Sequence, residues 1–87
     1  PEALMKDKLV VRDVNWLGAG DGPPQEGAHL SVKIRSTKPA VGATVFGGDG
    51  GTARVVLDEP QSAIAPGQAC VFYDGERLLG GGWIKRE

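Results

Sequence analysis

Three features of this 87-residue sequence predict an all-β fold, a small six-stranded and mainly antiparallel barrel. Apolar and polar residues alternate with period two in short runs. Turn residues separate the runs roughly every 8–12 positions. No stretch carries the 3.6-residue periodicity of a helix. Fourteen glycines and six prolines supply the turns. Strands this short and this numerous make a sandwich or a barrel, and closure into a barrel removes the open edges that invite aggregation.

The elements follow in order. Lys8 to Asn15 (KLVVRDVN) is Val-rich and reads as a first strand, with Trp16 and Leu17 at its end. The stretch Gly18 to Gly27 is a loop of Gly, Pro and Asp. His29 to Arg35 alternates most clearly, with Leu30, Val32 and Ile34 on one face. Lys38-Pro39 breaks that strand, and Val41, Ala43 and Val45 mark a third. Its end at Gly47–Gly51 and the alternation of Thr52 to Asp58 signal a hairpin. Glu59 to Gly67 reads as a loop held by Pro60 and Pro66. Gln68 to Tyr73 and Arg77 to Ile84 complete the set, joined by Asp74-Gly75-Glu76.

Composition bounds the function. Hydrophobic residues make up 40%, charged residues 24%, and the net charge is −1. Neither a polybasic tail nor an acidic solvating segment is the theme, and no apolar run approaches the ~20 residues that span a bilayer. A lone cysteine, Cys70, cannot form an internal disulfide, which favours a reducing cytoplasmic setting. The chain starts at Pro1 with its single Met at position 5, as expected of a piece of a longer product. Residues 1–7 are expected to be a linker from a preceding domain and residues 8–85 the barrel.

The residues that carry chemistry elsewhere read as structural here. Cys70 lies in the apolar run Ala69-Cys70-Val71-Phe72, which raises a thiol pKa and favours packing over nucleophilic attack. His29 is the only histidine, so no zinc-ligand spacing exists. Gly47–Gly51 sits between strands, without the helix and Lys-Ser/Thr of a phosphate loop, and Gly80-Gly81-Gly82 marks a bend or close backbone approach. The acid pairs Asp58-Glu59 and Asp74 with Glu76 fall at strand ends or turns, where acids are solvated. The expectation is therefore no catalytic residue, no cofactor and no metal in this chain.

Charge distribution is more informative. Residues 29–57 hold Lys33, Arg35, Lys38 and Arg54 against Asp49, a local +3, whereas residues 58–76 hold four acids and no base. Lys33 and Arg35 share a strand face about 6.6 Å apart, close to the phosphate spacing along one nucleic-acid strand. A solvated outer face fits the same residues.

Several stretches taken together resemble a known family. They are Val14-Asn15-Trp16-Leu17, Lys33-Ile34-Arg35, Glu59-Pro60-Gln61, Ala65-Pro66-Gly67-Gln68, Val71-Phe72-Tyr73, Gly75-Glu76 and Leu79-Gly80-Gly81-Gly82 before Trp83-Ile84. In this order they resemble the carboxy-terminal domain of bacterial tRNA-specific 2-thiouridylases, from about Leu9 to Ile84. The resemblance implies a six-stranded barrel similar to the second domain of elongation factor Tu. It further implies a parent enzyme that replaces the C2 oxygen of the wobble uridine of tRNA with sulfur, using ATP and a cysteine persulfide. The ATP loop and catalytic cysteines of that parent lie in its amino-terminal domain, and Cys70 matches neither cysteine motif. The partners implied are tRNA, the amino-terminal and central domains of the same protein and a persulfide sulfur donor for the parent, with no membrane. By this resemblance Lys33, Arg35, Lys38 and, more weakly, Arg54 are the candidate tRNA-facing residues. Ser36 stands where the family carries an aromatic, so base stacking is not expected there. Asn15-Trp16 is expected to cover the barrel mouth, Gly80–Gly82 to bend the last strand, and Pro66-Gly67 to set the turn before the fifth. The competing expectation is a purely structural or partner-docking barrel.

Overall fold

Alternating side-chain burial closes this sheet on itself. The computed structural model describes residues 6–34, 39–61 and 64–85. Its six strands are β1 Lys6–Trp16, β2 Ala28–Lys33, β3 Val41–Gly47, β4 Ala53–Gln61, β5 Ala69–Asp74 and β6 Arg77–Ile84. They pair in the order β1-β4-β3-β2-β5-β6, all antiparallel, and β6 returns to β1. The fold is thus the expected all-β six-stranded barrel, and closure leaves no sheet edge unpaired.

The interior is the apolar half of the alternation. Leu30 and Val32 on β2, Ala43 and Val45 on β3, and Ala53, Val55 and Leu57 on β4 are buried together with Leu9, Val11, Cys70, Phe72, Leu79 and Ile84. Phe72 is the largest side chain with no exposed surface. Burying such a side chain contributes roughly 1.5–3 kcal/mol. The turns have the residues their backbones require. Pro66-Gly67 sits in the turn Ala65–Gln68, with Gly67 at φ 89° and the Gln68 N–H donating to the Ala65 carbonyl at 3.3 Å. That placement of Pro and a positive-φ Gly is the type II pattern.

Two strands depart from the expected limits. β1 begins with Leu9 and Val11 inside, yet Val14 and Trp16 also pack on the core, so the alternation changes parity between them. The change falls at Asp13, whose φ is 53°, where the register against β6 shifts between Arg12 and Asn15. One extra residue makes a bulge there, and Asp is among the few residues that tolerate the left-handed region. The second departure corrects the loop expected over Glu59–Gly67. β4 continues to Gln61, which pairs with Lys6 after a register shift between Lys6 and Lys8. The shift carries the ladder past Pro60, which has no N–H to donate, and pairing resumes beyond it. β2 ends at Lys33, and Arg35, its expected last residue, lies outside the described residues.

The glycine run of β6 closes the barrel. Gly80 pairs with Trp16 of β1 on one side and Phe72 of β5 on the other. The two rings meet across it, with centroids 6.3 Å apart and planes inclined at 58°. A Cβ on Gly80 would overlap the Asn15 carbonyl oxygen, one on Gly81 would lie 2.5 Å from the Cys70 carbonyl oxygen, and one on Gly82 would lie 2.6 Å from Val11 Cγ1. The triple glycine therefore does bring β6 close to both neighbours, and Trp16 caps the end of the core as expected.

Gly80 also has φ 134°, whereas Gly50 at the β3–β4 tip has φ 66° with nothing near its would-be Cβ. Gly80→Ala is expected to lower the unfolding free energy by more than about 2 kcal/mol, because it adds overlap to backbone strain. Gly50→Ala is expected to cost only about 1 kcal/mol, from strain alone. Urea unfolding midpoints of the two variants check the difference.

Candidate functional site

Among the described residues the interior is apolar, with no polar or charged side chain buried in it. Cys70 is fully buried on β5, and loss of hydration pushes its thiol pKa up from 9.0 to about 12. It packs as a small apolar residue, as its sequence context implies. The glycine-rich segment after β3 closes the hairpin to β4, with the Gly48 N–H donating to the Thr52 carbonyl at 3.0 Å and Thr52 Oγ1 to the Asp49 carbonyl at 2.7 Å. It has no helix behind it, so it lacks the geometry that cradles the phosphates of ATP. Among the described residues, no three of His, Cys, Asp and Glu converge on a point.

One polar pair was not legible in the sequence. His29 Nε2 on β2 lies 2.8 Å from Asp58 Oδ2 on β4, on the outer surface and across the intervening β3. The bridge passes over Gly42, where a Cβ would collide with the Asp58 carboxylate. The sequence places Asp58 beside Glu59 as a solvated acid, and nothing in a separation of 29 residues points to His29. Both side chains are about half exposed or more, so the pair is a surface tie of modest strength.

The candidate cations divide into two places. Lys33 is the last residue of β2, half-buried, and pairs with Val71 of β5. Arg54 is exposed on β4, opposite Val10 of β1 and Phe46 of β3, and its guanidinium lies 5.0 Å from the Phe46 ring centroid. Across β3, about 20 Å of strand rise separates Lys33 from Arg54, because Val32 pairs with Val41 and Arg54 with Phe46. Arg35 and Lys38 lie outside the described residues.

Around the other side of the barrel, residues that the sequence did not single out fill the interval. Trp83 on β6 is 47% exposed and stands between Ala69 of β5 and Arg12 of β1. The Lys85 N–H donates to the Val10 carbonyl at 2.8 Å, which sets Lys85 beside Val10 and so on the Arg54 side of Trp83. Arg12 and Lys85 are far in sequence from the basic stretch 29–57, and only the pairing of β6 with β1 brings them together. A signal existed in Gly-Gly-Gly-Trp, since an aromatic following three residues without side chains stands clear of its neighbours.

Comparison with known proteins places the chain. The sequence model of the aminomethyltransferase beta-barrel domain matches residues 6–84. A tRNA-specific 2-thiouridylase of Parvibaculum lavamentivorans is 54% identical over 98% of this chain and 22% of its own length. Those of Rhodospirillum centenum and Orientia tsutsugamushi are 50% and 46% identical, over 97% and 100% of this chain and 21% and 24% of their own. The chain thus spans about a fifth of the length of the curated relatives it matches.

The thiol supplies a pH test. The folded protein holds the Cys70 proton to about pH 12, while the unfolded chain releases it near 9.0. Stability is therefore unaffected by Cys70 below pH 9 and falls as pH rises from there towards 12, by up to about 1.4 kcal/mol per unit. Urea unfolding of the protein and of Cys70→Ala on either side of pH 9 is expected to show this extra alkaline loss only where Cys70 is present.

Proposed function

The chain belongs to the family of aminomethyltransferase beta-barrel domains, and on that premise we propose that it is the non-catalytic carboxy-terminal domain of a tRNA-specific 2-thiouridylase, helping to hold tRNA. The observation that carries this function is the combination of close identity to proteins of that name over the full chain with an outer surface that bears cations and, among the described residues, an apolar interior. In the whole enzyme, a cytoplasmic protein on this reading, the ATP-dependent 2-thiolation of the wobble uridine belongs to the remaining domains, with a persulfide sulfur donor as a partner. Among the described residues the glycine-rich segment after β3 closes a hairpin and the Cys70 thiol is held protonated by burial, which favours a contribution of binding and support.

Lys33, with Arg35 and Lys38 beyond it in sequence, provides one set of phosphate contacts, and Arg54 provides another. A phosphate contact by Lys or Arg releases condensed counterions, so tRNA affinity falls steeply with salt. A docking role is a second reading, favoured by Leu17 and Leu78. These are 54% and 48% exposed and lie near each other, because the Leu17 N–H donates to the Leu79 carbonyl at 2.8 Å. An apolar patch of that kind suits packing against the rest of the polypeptide.

Binding of the 87-residue chain to tRNA across a salt series tests the proposal. Weak binding that declines with salt is expected, with Lys33→Ala together with Arg35→Ala losing about one unit of the log–log slope per contact removed. Absence of binding at low salt would overturn the RNA role and leave the docking barrel.

A further inference from the structure

We propose that Trp83 is a stacking platform for an unpaired RNA base, with Lys85 and Arg54 holding the phosphates beside it; this rests on the tRNA-binding role above and gives it a centre. Trp83 is on the outer face of β6 and keeps 47% of its surface exposed, although a tryptophan on a small barrel gains by burial. Its cross-strand neighbour on β5 is Ala69, which is too short to cover the indole, and the residues before it are Gly80, Gly81 and Gly82. The ring therefore rises from a shallow floor.

Cations flank it on the neighbouring strands. Arg12 is directly opposite on β1. Lys85 is two residues farther along, about 6.6 Å in strand rise, close to one phosphate step. Arg54 is the next cation beyond Val10, held against the Phe46 ring. Lys33 lies on the opposite flank, separated from β6 by β5 alone. Trp83 thus stands between the two groups of cations that are far apart when counted across β3. Asp13 contacts the Arg12 guanidinium at the β1 bulge and takes up part of its charge, so Lys85 and Arg54 are the less encumbered phosphate ligands.

An exposed aromatic flanked by cations on the neighbouring strands is the pattern of single-stranded nucleic-acid binding, in which the base stacks on the ring and the backbone tracks the positive charge. A protein partner would be expected to bury such an indole in an apolar surround, whereas Trp83 has Ala69 and Arg12 beside it. The geometry therefore favours RNA with a looped-out or single-stranded base over a protein surface.

The test follows intrinsic fluorescence and affinity together, using a short oligouridylate, a duplex RNA of equal length and tRNA at low salt. Trp83 is expected to be quenched by oligouridylate and tRNA. Trp83→Ala is expected to abolish that quenching and weaken binding about tenfold, since stacking on one base carries that order of affinity. Trp16, half-buried against Phe72, remains as an unresponsive internal reference. Lys85→Gln with Arg54→Gln is expected to reduce the salt slope by about two units while leaving the quenching at saturation. If Trp83→Ala binds tRNA as tightly as the parent chain, or duplex RNA quenches Trp83 as well as oligouridylate does, the platform is wrong and the tRNA role survives. If no RNA binds any of these proteins, both fall.

Discussion

Closure of the sheet along β6 is the constraint on which the remaining structure depends. A strand of ordinary residues could not lie between β1 and β5 here, because Asn15 and Cys70 present their carbonyl oxygens where side chains of β6 would begin. Three glycines remove those side chains, and the core fills the space from either side. Trp16 and Phe72 meet over Gly80, and Val11 approaches Gly82. The result is a small domain in which the close approach of β6 to its neighbours lies next to the exposed Trp83. In a domain of this size, with limited surface buried on folding, such packing matters disproportionately.

The same closure positions the candidate interface. Because β6 pairs with β1, Trp83 faces Arg12 and Lys85 comes beside Val10, one strand from Arg54. None of these proximities exists in an open sheet. Glycine serves a similar purpose on the opposite surface, where Gly42 lets His29 and Asp58 join β2 to β4 over β3. In both places a missing side chain on a middle strand allows its two neighbours to interact directly. The exposed surface is therefore shaped as much by where side chains are absent as by where charges are placed.

Much of the fold was legible because burial in a two-faced sheet imposes period two. Leu30, Val32, Ala43, Val45, Ala53, Val55 and Leu57 alternate in the sequence and are inside. What escaped was irregularity. The one-residue bulge at Asp13 and the register shift that continues β4 through Pro60 are settled by pairing with a distant strand, and local alternation carries no record of them. The candidate surface was legible only in part for the same reason. Charge density along the chain points to residues 29–57, but a barrel sums charge across neighbouring strands, and Arg12, Trp83 and Lys85 enter through tertiary pairing alone.

The most direct test of the central claim, that the outer face of β5–β6–β1–β4 meets RNA, is to map amide and indole NMR shifts of the barrel while tRNA is added. Shifts concentrated at Trp83, its indole N–H, Arg12, Lys85 and Arg54, with Phe72, Val45 and the other interior positions unmoved, are the predicted result. Shifts confined to Leu17 and Leu78, or none at saturating tRNA, would contradict it and identify the barrel as a docking element instead.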